Sequence, residues 1–184
     1  CKKINSKNCA STQLFAYSKF CLKKRKDMYY INSAEPINIF YSLRTDLQKI
    51  SLASYLSELV LYVIGSDGYE GNILKLFLNT LYFISNGKRP LELLKSIFEV
   101  RFMSEIGLMP NVFTCSNCSE YVNEGAYFII HDGIILCEQC YSVNTDGVIK
   151  KISPSVLCAL RHIILSEYNK LYNFKLSKES QRLL

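Results

Sequence analysis

Four cysteines stand where they could do chemistry together. Cys115 and Cys118 form one C-x-x-C pair, Cys137 and Cys140 a second, and eighteen residues separate the pairs. Two such pairs can close a tetrahedral thiolate shell, and this spacing about a hairpin is that of zinc ribbons. A closed shell leaves no open coordination position, so the ion holds structure and does no chemistry. Two rivals are weaker. Disulfides call for an oxidising compartment, and Cys1, Cys9, Cys21 and Cys158 show no matching spacing. A thioredoxin-like dithiol needs one pair where a strand turns into a helix, whereas Cys118 runs into the loop residues Ser119 to Gly125. One structural Zn2+ per chain is the expectation. Cys21, in an apolar strand, and Cys158, on a helix, read as buried free thiols, and the chain reads as cytoplasmic.

The elements that must bring the pairs together are equally legible. Asp132-Gly133 suits a two-residue turn in which both central residues need φ > 0. Ala126 to Ile130 and Ile134 to Leu136 on either side are rich in strand formers. A hairpin folded there sets Ile130 opposite Ile135 and Phe128 opposite Cys137, returning the second pair beside the first.

Little else suggests catalysis, and the chain reads as a non-enzyme. His131 and His162 have no activating partner placed by sequence. Asn86-Gly87-Lys88-Arg89 lacks the upstream Gly of a phosphate loop and reads as a helix ending in Gly. An apolar fraction of 49% supplies a core, and no apolar run reaches the roughly 18 residues of a membrane span. The expectation is a soluble protein of one large or two small domains, with no membrane and no small-molecule substrate.

Charge is uneven. Residues 1–44 carry nine Lys/Arg against Asp27 and Glu35, a net of +7, whereas residues 45–184 have a net of −1. The basic quarter reads as strands at Gln13–Leu22 and Met28–Ile31 joined by a Lys23–Asp27 loop, with Phe15, Tyr17, Phe20, Tyr29 and Tyr30 on the strands. Basic residues interleaved with aromatics suit a surface that tracks a nucleic-acid backbone. Lys2, Lys3, Lys7, Lys23, Lys24, Arg25 and Lys26 are the candidate DNA contacts. The plain alternative is an ordinary solvated turn above partly buried aromatics.

After residue 44 the period becomes helical. Thr45-Asp-Leu-Gln48 reads as a capping box for a helix with Leu52, Leu56, Leu59 and Val63 on one face, ended by Gly65. A second helix spans about Asn72 to Gly87 and is apolar enough to be buried on most sides. A third spans about Leu91 to Gly107. After the cysteines, Ser153-Pro154 starts a helix as N-cap and first residue, reaching Tyr168 or Tyr172, and Ser177 starts a last one.

This order, and certain strings within it, resemble the RecO family of bacterial recombination mediators. Arg44-Thr45-Asp46-Leu47 leading into Ala53 to Leu59 is similar to the family's first long helix. Phe98 to Pro110 is similar to its FE-x-R-x-L…GY-x-P segment, with Leu108 where an aromatic is usual. The cysteines and Ser153-Pro154 follow at the family's distances. The resemblance implies an α+β chain: a partial OB-fold β-unit over 1–43, then a helical domain (44–110 and 145–184) carrying a zinc-ribbon insertion at 111–144. Cys1-Lys2-Lys3 is similar to a strand near the middle of that barrel, so its first strands are expected to be absent.

The function implied is non-enzymatic DNA repair and recombination. RecO proteins bind single- and double-stranded DNA, anneal strands, and with RecR load RecA onto strands coated by single-strand binding protein. The acidic tail of that protein needs an apolar pocket rimmed by cations, and Lys88, Arg89 and Arg101 are the candidates. Their plain alternatives are helix-end placement for Lys88 and Arg89 and an ion pair with Glu105 for Arg101. A reading of another class is a zinc-stabilised protein-interaction scaffold with no DNA binding of its own.

Overall fold

Strong local signals set most element ends. The computed structural model describes residues 8–63, 71–142 and 147–184, so Lys2, Lys3, Lys7, Cys1 and the expected helix stop at Gly65 lie outside the described residues. The chain begins with an antiparallel hairpin, β1 (Ala16–Arg25) and β2 (Met28–Ile39). Three helices follow: α1 (Leu47–Val63), α2 (Asn72–Asn86) and α3 (Leu91–Glu105). A four-stranded sheet is built from β3 (Asn111–Cys115), β4 (Ala126–Ile129), β5 (Ile134–Leu136) and β6 (Ile149–Ile152), in the order β3-β5-β4-β6. The chain closes with α4 (Pro154–Leu165) and α5 (Lys178–Leu183).

Caps explain the helix ends. Asp46, not Thr45, caps α1: its carboxylate accepts from the N–H groups of Gln48 (2.9 Å) and Lys49 (3.2 Å). A carboxylate at this position also favours the positive end of the helix dipole. Gly87 ends α2 in the left-handed region, at φ 63°. Past α3, Leu108 N–H reaches back to Met103 O at 2.8 Å across Gly107, a Schellman closure. Ser153 caps α4 with Pro154 at its first position. That helix stops at Leu165, short of the expected Tyr168, and Arg101 donates to the carbonyls of Ile163 (3.1 Å) and Ile164 in its last turn.

Two hydrophobic cores result. The helical core joins Leu56 of α1, Ile73, Leu76 and Ile84 of α2, and Leu94, Ile97 and Phe98 of α3 to Ile163 and Tyr172. The second core packs Val112, Ile129, Ile135 and Ile152 of the sheet on Val156, Leu157, Leu160 and Ile164 of α4. Helix α4 thus serves both. Contrary to expectation, α2 is buried along one face only, with Leu74 and Tyr82 about half exposed.

Two strand expectations are corrected. Tyr127 pairs with Leu136, Phe128 with Ile135 and Ile129 with Ile134, a register shifted by two residues from the expected one. Only Gly133 of the Asp132-Gly133 pair takes a positive φ, 64°. A two-residue turn needs both, so the chain uses a four-residue loop closed by Gly133 N–H to Ile129 O at 3.0 Å. In the first hairpin Lys23, Lys24 and Arg25 belong to β1, and only Lys26 and Asp27 form the turn, with Lys26 at φ 52°.

Candidate metal centre and basic hairpin

The sheet brings the cysteines together from two directions. Cys115 ends β3, which runs parallel to β5, and Cys137 directly follows β5. Each pair folds as a tight knuckle. Ser119 N–H closes the first onto Cys115 O at 2.8 Å, with Ser119 at φ 62°, and Tyr141 N–H closes the second onto Cys137 O at 3.0 Å. The four Sγ atoms lie within 4.8 Å of one another. Cys118 and Cys137 Sγ are 3.9 Å apart, close to the roughly 3.8 Å edge of a tetrahedron with zinc–sulfur bonds of about 2.3 Å. Four cysteines so arranged can hold a metal ion.

The shell is prepared to ionise at one corner. Burial pushes the Cys115 thiol up, but the backbone N–H groups of Cys118, Cys137 and Asn117, with the Cys118 thiol, outweigh it and bring the pKa down to about 6. At Cys118 the Glu120 N–H pulls down, while desolvation and the thiols of Cys115, Cys140 and Cys137 push the pKa up to about 12. Without a cation the thiols compete for one negative charge; a divalent ion lets all four ionise.

The remaining described cysteines do not join them. Cys21 and Cys158 are exposed rather than buried, and Cys9 is half-buried. Exposure of Cys21 follows from the hairpin, whose strands leave almost every residue open to solvent.

An arginine that sequence patterning does not single out grips the two segments that flank the first knuckle. Arg161 of α4 donates from Nε to Val112 O (2.8 Å), from Nη2 to Phe113 O (3.0 Å) and Val122 O (2.6 Å), and from Nη1 to Tyr121 Oη (3.0 Å). Its guanidinium carbon sits 4.4 Å from the centre of the Tyr121 ring. The one signal in the sequence is an arginine set among Leu157, Leu160 and Ile164, the apolar face of an otherwise ordinary helix.

The basic hairpin pairs charge with rings. Lys23 lies opposite Tyr30, Lys24 opposite Tyr29 and Arg25 opposite Met28. Lys24 Nζ is 5.8 Å from the Tyr29 ring centre. Among the described residues none of Lys23, Lys24, Arg25 and Lys26 forms an ion pair, and all are exposed.

The three further cations do not converge. Lys88 and Arg89 line a groove of about 490 Å³ with Phe83, Leu93, Phe174 and Leu176. Arg101 is absent from that lining: it pairs with Glu105 at 2.8 Å and holds the end of α4. Among the described residues no helix is long and apolar enough to cross a membrane.

Comparison with known proteins places this helical and four-cysteine chain in a family: the one described as recombination protein O C terminal matches residues 44–184, and the chain belongs to the RecO family. The chain is 37% identical over 170 residues to DNA repair protein RecO of Acetivibrio thermocellus, covering 92% of this chain and 66% of that protein. It is 32% identical to DNA repair protein RecO of Clostridium novyi over 97% of this chain and 68% of the relative. For the protein of the same name from Alkaliphilus metalliredigens the identity is 27%, over 96% and 71%. The chain thus spans about two thirds of the length of these relatives.

Proposed function

We propose that the chain is the greater part of a DNA-binding recombination mediator of DNA repair. In this reading it binds single- and double-stranded DNA, anneals strands, and with RecR loads RecA onto strands coated by single-strand binding protein. It works in the cytoplasm at the nucleoid and carries no catalytic machinery. The observation that carries the reading, beside family membership, is the exposed hairpin on which Lys23 lies across from Tyr30 and Lys24 across from Tyr29, with Arg25 next to them at the tip. Unpaired cations attract the phosphate backbone whatever the sequence, and exposed rings offer bases a stacking surface. The hairpin is read as part of an OB-fold, to which Lys2, Lys3 and Lys7 add charge.

Cys115, Cys118, Cys137 and Cys140 are read as a zinc ribbon, the donor set and sulfur separations fitting Zn2+. When bound, the ion supplies cross-linking and no reaction step, since four sulfurs fill its shell. The groove at Lys88 and Arg89 is the better placed of the cation sites for an acidic tail, because it joins charge to the Phe83, Phe174 and Leu176 walls.

The exposure of Met28, Tyr29, Ile31 and Ile37 also suits a protein contact, which keeps the alternative of a zinc-stabilised scaffold. Equilibrium binding of the purified chain to labelled single- and double-stranded DNA separates the two. Binding to both, weakening steeply with salt, supports the mediator reading, and no binding at low salt supports the scaffold.

A further inference from the structure

We propose that Arg161 is a positioning residue for the metal centre: its guanidinium fork holds the arm that carries Cys115 and Cys118 in the geometry that receives the ion. The proposal rests on reading the four cysteines as a metal site.

The first cysteine pair sits at the tip of a narrow arm, residues 113–122. Two backbone bonds tie its legs, Val122 N–H to Phe113 O (3.2 Å) and Cys115 N–H to Glu120 O (2.9 Å), with an isolated bridge between Thr114 and Tyr121. A two-stranded arm this short is marginal by itself in water. Its tip is also the exposed side of the shell, for Cys118 is exposed whereas Cys115 is buried.

Arg161 supplies what the arm lacks. Its four hydrogen bonds reach both legs at once, Val112 and Phe113 before the cysteines, Tyr121 and Val122 after them. The platform is firm, since Leu157 and Leu160 of α4 are buried in the same core as Val112 and Cys115. A planar fork can bridge carbonyls on two separate legs; an ammonium, with its donors at one point, cannot span them. With the arm already placed, the ion has only to join two knuckles. Without the clamp, ordering the arm falls to metal binding, and its cost is subtracted from affinity.

The test is chelator competition for Zn2+ and Co2+ on the whole chain, comparing wild type with Arg161→Gln, Arg161→Lys and the control Ile163→Val, which alters α4 on its helical-core side. Residues behind a metal's ligands typically change affinity by about 10- to 100-fold. Arg161→Gln is expected to weaken binding about tenfold or more, and Arg161→Lys nearly as much, while Ile163→Val stays at the wild-type value. The thiolate-to-cobalt absorption should persist at saturating cobalt, showing that the ligands themselves are unchanged. Wild-type affinity in both Arg161 variants overturns the positioning role and leaves the metal reading intact. Absence of tight metal binding in the wild type overturns both. If the Arg161 variants do not fold, Tyr121→Phe, which removes one of the four bonds, is expected to weaken binding by a smaller factor, and an unchanged affinity there overturns the assignment.

Discussion

The backbone N–H of Cys137 donates to Cys115 Sγ across 3.4 Å. The second cysteine knuckle therefore begins within hydrogen-bond reach of the first, before any ion is considered. That N–H also helps to hold the Cys115 pKa near 6, so the corner that is buried deepest is the one most ready to act as a thiolate.

Metal removal should loosen one core and spare the other. Metal-replete protein is expected to carry one zinc per chain by elemental analysis. After chelation, amide exchange should quicken in 113–122 and 134–140, because this small sheet draws much of its local stability from the ion. Helices α1 to α3 should keep their protection, since their buried residues form a separate cluster. Exchange that quickens equally in both regions would contradict this division.

Arg101 and Glu105 form a mostly buried pair, their side chains 12% and 17% exposed. Arg101→Leu leaves Glu105 without its cation, with only the Tyr168 hydroxyl (2.6 Å) still donating to it, and the last carbonyls of α4 without their arginine donor. A loss of roughly 3 kcal/mol in urea unfolding is expected, the low end for breaking a buried pair. The double variant Arg101→Leu/Glu105→Leu should recover part of it. A single-variant loss below about 1 kcal/mol, the value of a surface pair, would contradict the buried role.

Alkaline pH should destabilise the helical body. Burial, then the Glu105 hydrogen bond, raises Tyr168 from 10.0 to about 12. The Glu99 hydrogen bond, then burial, raises Tyr55 to about 12. Tyr172, buried with its hydroxyl 2.6 Å from Thr80 Oγ1, is raised chiefly by burial. A tyrosine whose folded pKa is raised contributes its stability in full below the unfolded value near 10. That contribution is lost as pH climbs through the folded value. Denaturation midpoints should therefore fall between pH 10 and 12, and less steeply in Tyr168→Phe. A flat profile there, or the same slope in the variant, would contradict the assignment.

What the sequence revealed and what it concealed have physical reasons. Gly87, Ser153-Pro154 and Ser177 act through neighbours a few residues away, so their helix ends are readable. The cysteine spacing is likewise a local fact with a long-range consequence. The β4–β5 register turned on which of Asp132 and Gly133 would take a positive φ, and a sequence pair alone does not decide it. Asp46 displaced Thr45 as cap because its carboxylate reaches two N–H groups at once. Arg161 stayed hidden because its partners are main-chain carbonyls some 40 to 50 residues away, which leave no mark in side-chain types.

The central claim is that the basic hairpin meets nucleic acid through its phosphates, and the salt dependence of single-stranded DNA affinity tests it most directly. Affinity is measured over a range of salt for the wild type and for a variant with Lys23, Lys24, Arg25 and Lys26 all replaced by Gln. The wild type should show a linear fall of log affinity with log salt, and the variant should bind all sequences more weakly. Its slope should be shallower by about 0.7 for each phosphate that the variant no longer neutralises. An unchanged slope and affinity in the variant would contradict the account and move the DNA site off the hairpin.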